Sequence, residues 1–258
     1  MMNDNQNTSL NTPPFRGAGG VEGMIFAAGL GTRFKPWTDK HPKALAVVNG
    51  KSLLQRNIEY LQHYGIDNVV VNVHHFADQI IAALEKNKGW GSTITISDET
   101  GMLLETGGGI KKAEPLFTTE NIVVINVDIL TDLDLGKLMA FHQQQAPLST
   151  IAITNRTTSR YFLFDENNTL CGWRNTKTGE ERIARPAATY IPKAFSGIHV
   201  ISKKLLSLIQ RSGKFSIVDT YLELAATGII KGFDHSGSRF IDVGKPDSVA
   251  EAEQLFGK

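Results

Sequence analysis

The sequence predicts an α/β fold: one domain with a mainly parallel mixed sheet, helices on both faces and a small β-hairpin extension. Three observations carry this. Short apolar runs rich in Val and Ile alternate with segments of helical period. The first apolar run ends in a glycine turn, Gly29-Leu30-Gly31, as strands of such sheets do where they meet a ligand. A chain of 258 residues is long enough to bury one large core. The alternation points to parallel strands, because each crossover carries a helix back over the sheet.

The elements follow in order. Met24-Ile25-Phe26-Ala27-Ala28 reads as a buried strand. Val69 to Val73, apolar and β-branched after Gly65-Ile66-Asp67, is the next. Asp78 to Leu84 has helical spacing through Ile80, Ile81 and Leu84. Ser92 to Ser97 alternates as a short strand, and Ile110 to Phe117 reads as a helix that stops near Pro115. Asn121 to Val127 is a buried strand, Leu135 to Gln145 a helix and Leu148 to Thr154 a strand. The rhythm breaks after Asn155. Tyr161 to Phe164 and Thr169 to Trp173 predict a hairpin around Asp165-Glu166-Asn167-Asn168, followed by a polar stretch from Asn175 to Arg185. Ala194 to Ile201 is strand-like, Ser202 can cap a helix through Leu208, and Phe215 to Ala226 suits another helix. Phe240 to Gly244 forms the last strand, and Pro246 opens a helix to Phe256.

Composition narrows the function. Lys plus Arg total 27 against 26 Asp plus Glu, a net charge of +1, so nucleic acid is not an expected partner. The single cysteine, Cys171, excludes an internal disulfide and a multi-cysteine metal site, and its strand-like surroundings suit a packing role. No apolar run approaches the roughly 20 residues that span a bilayer. Residues 1–20 are polar, with Arg16 their one cation, and lack the apolar centre of a signal peptide. They are expected to be a disordered leader ahead of a domain at 21–258, in a reduced, cytoplasmic protein.

The chemistry concentrates in Met24 to Leu45. After the glycine turn come two cations, Arg33 and Lys43, near Pro36 and Pro42. Backbone amides can cradle phosphate oxygens while the cations neutralise charge. A dinucleotide fold would place a third glycine at Phe34, and a P-loop would need G-x-x-x-x-G-K-[ST], which is absent. Neither pattern is met, and the ordinary alternative for the loop is a surface turn with solvated charges. Asp128 follows an apolar strand, and Asp242 ends another just before Gly244. Each alone would more often cap a helix or form a turn, yet two such acids can share one Mg²⁺. Glu105-Thr106-Gly107-Gly108-Gly109 can expose amides and a flat surface to a base, or be a flexible loop. His74-His75 fits local hydrogen bonding, since neighbours on a strand point apart and no HxH or HExxH pattern exists.

The run Ala27-Ala28-Gly29-Leu30-Gly31-Thr32-Arg33, followed by Pro42-Lys43, resembles the signature of the sugar-1-phosphate nucleotidyltransferases. The resemblance extends over about Val21 to Phe256. It implies a Rossmann-like nucleotide-diphospho-sugar transferase domain, with Arg33 and Lys43 catalytic and Asp128 and Asp242 holding Mg²⁺. It also implies nucleotide binding by Ala27, Ala28, Gly29, Gly31, Thr32, Glu105, Thr106, Gly107, Gly108 and Asn126, and sugar binding by Ser196 and Gly197. The metal motifs of the family are Asn-Gly-Asp and Asp-Val-Gly-Thr-Pro; here they read Asn126-Val127-Asp128 and Asp242-Val243-Gly244-Lys245-Pro246. The Glu-Lys-Pro motif of many relatives is absent, with Glu181-Arg182 and Arg185-Pro186 poor matches. Leu104-Glu105-Thr106-Gly107-Gly108-Gly109-Ile110 is similar to the N-acetylmuramate-1-phosphate uridylyltransferases of cell-wall recycling, which implies UTP and N-acetylmuramic acid 1-phosphate. Mannose-1-phosphate guanylyltransferases, using GTP, more often carry Gly-Thr-Ala-Gly there and are the alternative. A nucleotide-binding regulatory module without turnover would be marked by loss of a cation or a metal acid, and all four are present. The sequence leaves the oligomeric state open.

Overall fold

In the computed structural model, which describes residues 20–257, strands and helices largely alternate in the first part of the chain, and the rhythm breaks in the second part, where strands follow one another. The expected leader lies outside the described residues up to residue 19. Strand β1 (Glu22–Phe26) leads through short helical turns to a small hairpin, β2 (Val47–Val48) and β3 (Lys51–Ser52), and helix α1 (Leu53–His63). Then come β4 (Asn68–Val73), α2 (Ala77–Lys86), β5 (Thr93–Asp98), α3 (Glu105–Ala113), β6 (Asn121–Asn126), β7 (Ile129–Thr131), α4 (Leu135–Gln145) and β8 (Ser149–Thr154). The second part runs β9 (Arg160–Phe164), β10 (Leu170–Asn175), β11 (Glu181–Ile183), β12 (Ile191–Ser202), α5 (Lys203–Leu208) and α6 (Ile217–Ala225). It closes with β13 (Ile230–Asp234), β14 (Phe240–Asp242) and α7 (Asp247–Leu255).

The main sheet runs β11-β10-β9-β12-β6-β1-β4-β5, with β8 on the free side of β12 and β13 beyond it. The block β6-β1-β4-β5 is parallel, whereas β12 is antiparallel to β6, β8 and β9. The predicted hairpin is β9–β10. Strand alternation sorts the core into two layers. Ile25, Val69, Val71, Val73, Val123 and Ile125 pack with Leu135 of α4, Ile58 of α1 and Ile80 of α2. Met24, Phe26, Val70, Ile122 and Val124 face the other way, onto Ile110 of α3, Leu205 of α5 and Tyr221 of α6. Each fully buried aliphatic side chain of this kind contributes about 1.5–3 kcal/mol, and both faces of the central strands are used. This is the covered, mainly parallel sheet that the sequence predicts.

Two departures from the sequence reading position the site. Helix α3 begins at Glu105, so the three glycines form its first turn instead of a loop before it. The helix packs so closely on residues 213–216 that a Cβ at Gly107 would meet the Ser216 carbonyl carbon at 2.8 Å. The last strand stops at Asp242 and pairs with β7 in a separate antiparallel ribbon, with Asp242 opposite Ile129.

Candidate active site

The loop after β1 is held from two sides. The side-chain oxygen of Asn72, on β4, accepts from the amides of Ala27 and Ala28 at 2.7 and 3.3 Å. Further on, the Thr38 hydroxyl donates to the Gly31 carbonyl at 2.9 Å. Gly31 has φ 60°, and a Cβ there would meet Thr38 Cγ2 at 2.8 Å and Lys43 Cβ at 3.2 Å, so only glycine fits. Gly29 differs: a Cβ there would find nothing within 4 Å. Three short helical turns follow, of which the first and last, Thr32–Phe34 and Lys43–Leu45, carry the two cations. Their buried members, Phe34 and Ala44, anchor the loop, leaving Thr32 and Arg33 exposed beside the glycine turn.

Lys43 and both acids meet below this loop. The Lys43 ammonium forms an ion pair with Asp128, which follows β6; the two side chains are 13% and 15% exposed. The β7–β14 ribbon brings Asp242 alongside, and the Val243 amide donates to the Asp128 carbonyl at 2.8 Å. Burial pushes the Asp242 carboxyl above the usual carboxylate range; the charge of Asp128 adds to this, and Lys43, Arg33 and Arg156 oppose it. Asp242 Oδ1 is buried without a hydrogen-bond partner among the described residues. Arg33 closes the group: a Cβ at Gly244 would lie 2.7 Å from Asp242 Oδ1 and 2.9 Å from Arg33 Nη2. Arg33, Lys43, Asp128 and Asp242 therefore converge from loops far apart in sequence.

Beside them opens a cavity of about 360 Å³. Among the sequence-predicted residues, Ala27, Ala28, Gly29, Lys43, Glu105, Thr106, Asn126 and Asp128 line it. Glu105 sits at the start of α3 with φ 60°, its carboxylate 3.5 Å from the Lys214 ammonium. The Thr106 hydroxyl accepts from the Ile217 amide at 3.0 Å, tying α3 to α6.

Four predicted residues sit elsewhere. The amides of Gly107 and Gly108 donate to the Phe215 carbonyl at 2.9 and 3.2 Å. Ser196 is buried, its hydroxyl 2.6 Å from His235 Nε2. Gly197 has φ 75°, and a Cβ there would meet Asn126 Nδ2 at 2.8 Å, so this glycine lets β12 close on Asn126.

Sequence reasoning missed Asn72 and Glu99, which also line the cavity. Asn72 Nδ2 donates to Glu99 Oε1 at 2.7 Å, and the Leu104 amide donates to Glu99 Oε2 at 3.1 Å. Glu99 is 1% exposed and Asn72 2%. The available signal was a polar residue, Asn72, inside the apolar run of β4. The expected local hydrogen bonding of the two histidines gives way to long-range ties, His74 with the Glu99 carbonyl at 2.7 Å and His75 with the Thr38 carbonyl at 3.2 Å. Cys171 is buried and free.

An open glycine loop, convergent cations and paired acids at strand ends define a phosphate-handling transferase of the α/β class. The chain belongs to the nucleotidyl transferase family, whose model matches residues 22–257. It is 32% identical over 235 residues to an N-acetylmuramate alpha-1-phosphate uridylyltransferase of Caulobacter vibrioides, covering 89% of this chain and 94% of that one. It is 26% identical over 240 residues to a mannose-1-phosphate guanyltransferase of Yarrowia lipolytica, covering 92% of this chain and 64% of the relative. The crystal structure of HddC from Yersinia pseudotuberculosis complexed with GMP-PN superposes with a TM-score of 0.72 at 26% identity, covering 91% of this chain and 99% of that one. The protein is thus an enzyme of the sugar-1-phosphate nucleotidyltransferase class. No helix among the described residues is long and apolar enough to cross a membrane.

Proposed function

We propose that the enzyme transfers a uridylyl group from UTP to N-acetylmuramic acid 1-phosphate, as a cytoplasmic step of cell-wall recycling. The observation that carries the reaction is the convergence of Arg33, Lys43, Asp128 and Asp242 beside the cavity, which Lys43 and Asp128 line. A sugar phosphate oxygen attacks the α-phosphorus, the bond to the β-phosphate oxygen breaks, and pyrophosphate leaves. Positioning and charge neutralisation supply the catalysis. Gly29, with open space where a Cβ would stand, lets the triphosphate approach the backbone. Arg33 takes the departing pyrophosphate, and Lys43, held by Asp128, faces the reacting phosphates.

The buried, unpartnered Oδ1 of Asp242 beside Asp128 suits a divalent cation. Two carboxylates are enough for Mg²⁺, which keeps several waters and binds substrate phosphates. Asp128 and Asp242 would hold it, and its chemistry when bound is neutralisation of charge on the phosphate oxygens.

The choice of UTP and the muramic sugar is supported by the 32% identical uridylyltransferase and by the Leu104 to Ile110 run. GTP with mannose 1-phosphate is the second reading, supported by the guanyltransferase relative and the GMP-PN complex of HddC. The test is a panel of five nucleoside triphosphates against several sugar 1-phosphates, read as kcat/KM from pyrophosphate release. UTP with N-acetylmuramic acid 1-phosphate is expected to lead. A lead for GTP with mannose 1-phosphate refutes the substrate and keeps the reaction class.

A further inference from the structure

We propose that Arg156 receives the phosphate of the sugar 1-phosphate, beside the carboxylate pair and apart from the cations that handle the triphosphate. This rests on the reading of the site as one that joins a nucleotide to a sugar 1-phosphate. The two reactants bring two separate polyanions to one pair of acids. Arg33 and Lys43 both come from the glycine loop, and Lys43 is already matched by Asp128. A second anion needs a cation from another wall.

Strand β14 shows where that cation stands. Arg33 meets this segment at Gly244, two residues past Asp242. Arg156 meets it at Phe240, two residues before Asp242, with its guanidinium 5.3 Å from the ring centre. Residues two apart on a strand share a face, so Arg156 lies over the face from which Asp242 projects. No carboxylate among the described residues pairs with Arg156. Its Nη2 donates to the Phe195 carbonyl at 2.9 Å, and its buried Nε has no partner among the described residues. A guanidinium held by a neutral carbonyl keeps its full charge for an anion, and its planar fork suits phosphate.

The neighbouring residues build this position. Lys193 donates to the Asn155 side chain and to Asp234, both at 2.6 Å. The Asn155 amide donates to the Ser236 hydroxyl at 2.9 Å. Lys193 is therefore occupied, and its bonds fix the residue preceding Arg156. Between Asp234 and Ser236, His235 holds Ser196.

The experiment measures KM for both substrates in the wild type, Arg156→Ala, Arg156→Lys and Lys245→Ala, with a thermal melt of each. Lys245 is an exposed cation on the same segment. Arg156→Ala is expected to raise KM for the sugar 1-phosphate on the order of 10- to 100-fold, the effect of losing one charge-assisted partner. KM for the nucleoside triphosphate should move less than about threefold. Arg156→Lys is expected to lie between, and is the variant read if Arg156→Ala does not fold. Equal shifts in both KM values, a fall in kcat alone, or an effect at Lys245 with none at Arg156 overturns the assignment. A wild type that turns over no sugar 1-phosphate overturns the functional reading and this inference with it.

Discussion

Asp242 reaches Asp128 through the main chain of a two-stranded ribbon: β14 pairs with β7, and the Val243 amide donates to the Asp128 carbonyl at 2.8 Å. The two acids, 114 positions apart by their numbers, are thus fixed by backbone geometry. Burial and their mutual repulsion raise the Asp242 carboxyl. A bound divalent cation would relieve both effects. Asp128→Asn and Asp242→Asn are each expected to fold, to lose most activity and to need more Mg²⁺ for what remains. The double variant should be little worse than the worse single one, because parts of one unit are not additive. Additive losses with unchanged Mg²⁺ dependence would count against a shared site.

The two glycines of the nucleotide loop should separate folding from binding. Gly31→Ala puts a side chain at φ 60° and within 2.8 Å of Thr38, so a loss of about 1–3 kcal/mol in stability is expected. Gly29→Ala meets nothing within 4 Å and should melt like the wild type while raising KM for the nucleotide severalfold. Melting curves and KM values of both variants check this. A Gly29→Ala enzyme with normal KM would remove Gly29 from the nucleotide's path.

Why the site was legible while parts of the fold were not follows from the kind of signal each leaves. Arg33, Lys43, Asp128 and Asp242 lie in short runs whose residue types and spacing the chemistry dictates. Helix α1 escaped notice because polar Asn57 stands in its buried stripe, where its amide bridges the carbonyls of Leu53 and Val127 at 2.9 Å. Strand β13, Ile-Lys-Gly-Phe-Asp, has too little alternation to stand out and is held by pairing with β8. The role of Gly107 and Gly108 was illegible because it depends on Phe215, more than a hundred residues away. Local sequence carries no record of such a partner, and the same holds for the Ser196–His235 pair.

Three buried imidazoles should make the fold acid-sensitive. Burial pushes His142 down to about 4, His199 to about 3 and His235 to about 4, from an ordinary value of 6.5. Each is neutral in the folded protein at mild acidity, while the unfolded chain takes up protons below pH 6.5. Stability is thus fully present above 6.5 and falls as the pH drops toward 4, by up to about 1.4 kcal/mol per pH unit for each imidazole. The bonds of His142 agree with this. Its two ring nitrogens lie 2.8 Å from the Thr150 hydroxyl and 3.1 Å from Asn121 Oδ1, one acting as acceptor and the other as donor. Urea midpoints at pH 7.5, 6 and 5 should fall steadily, and His142→Gln should flatten the slope. A midpoint unchanged between pH 7.5 and 5 would refute the argument.

Asn72 ties the nucleotide loop to the sheet. One side chain there accepts from two loop amides and donates to Glu99, which in turn accepts the Leu104 amide just before α3. Both walls of the cavity thus rest on a single buried amide. Asn72→Ala leaves the Ala27 and Ala28 amides and one Glu99 oxygen without their partner, each a buried polar group whose loss of a bond costs about 1–3 kcal/mol. Asn72→Asp keeps the acceptor but sets a second carboxylate against Glu99, which is 1% exposed, so it should be the worse variant near neutral pH. Both are expected to lower the melting temperature and to raise KM for the nucleotide, with KM for the sugar 1-phosphate nearly unchanged. The split in KM separates this role from plain destabilisation, which would lower the amount of active enzyme and leave both KM values alone. If Asn72→Asp instead melts like the wild type, the Asn72–Glu99 bond is not what holds the two walls together.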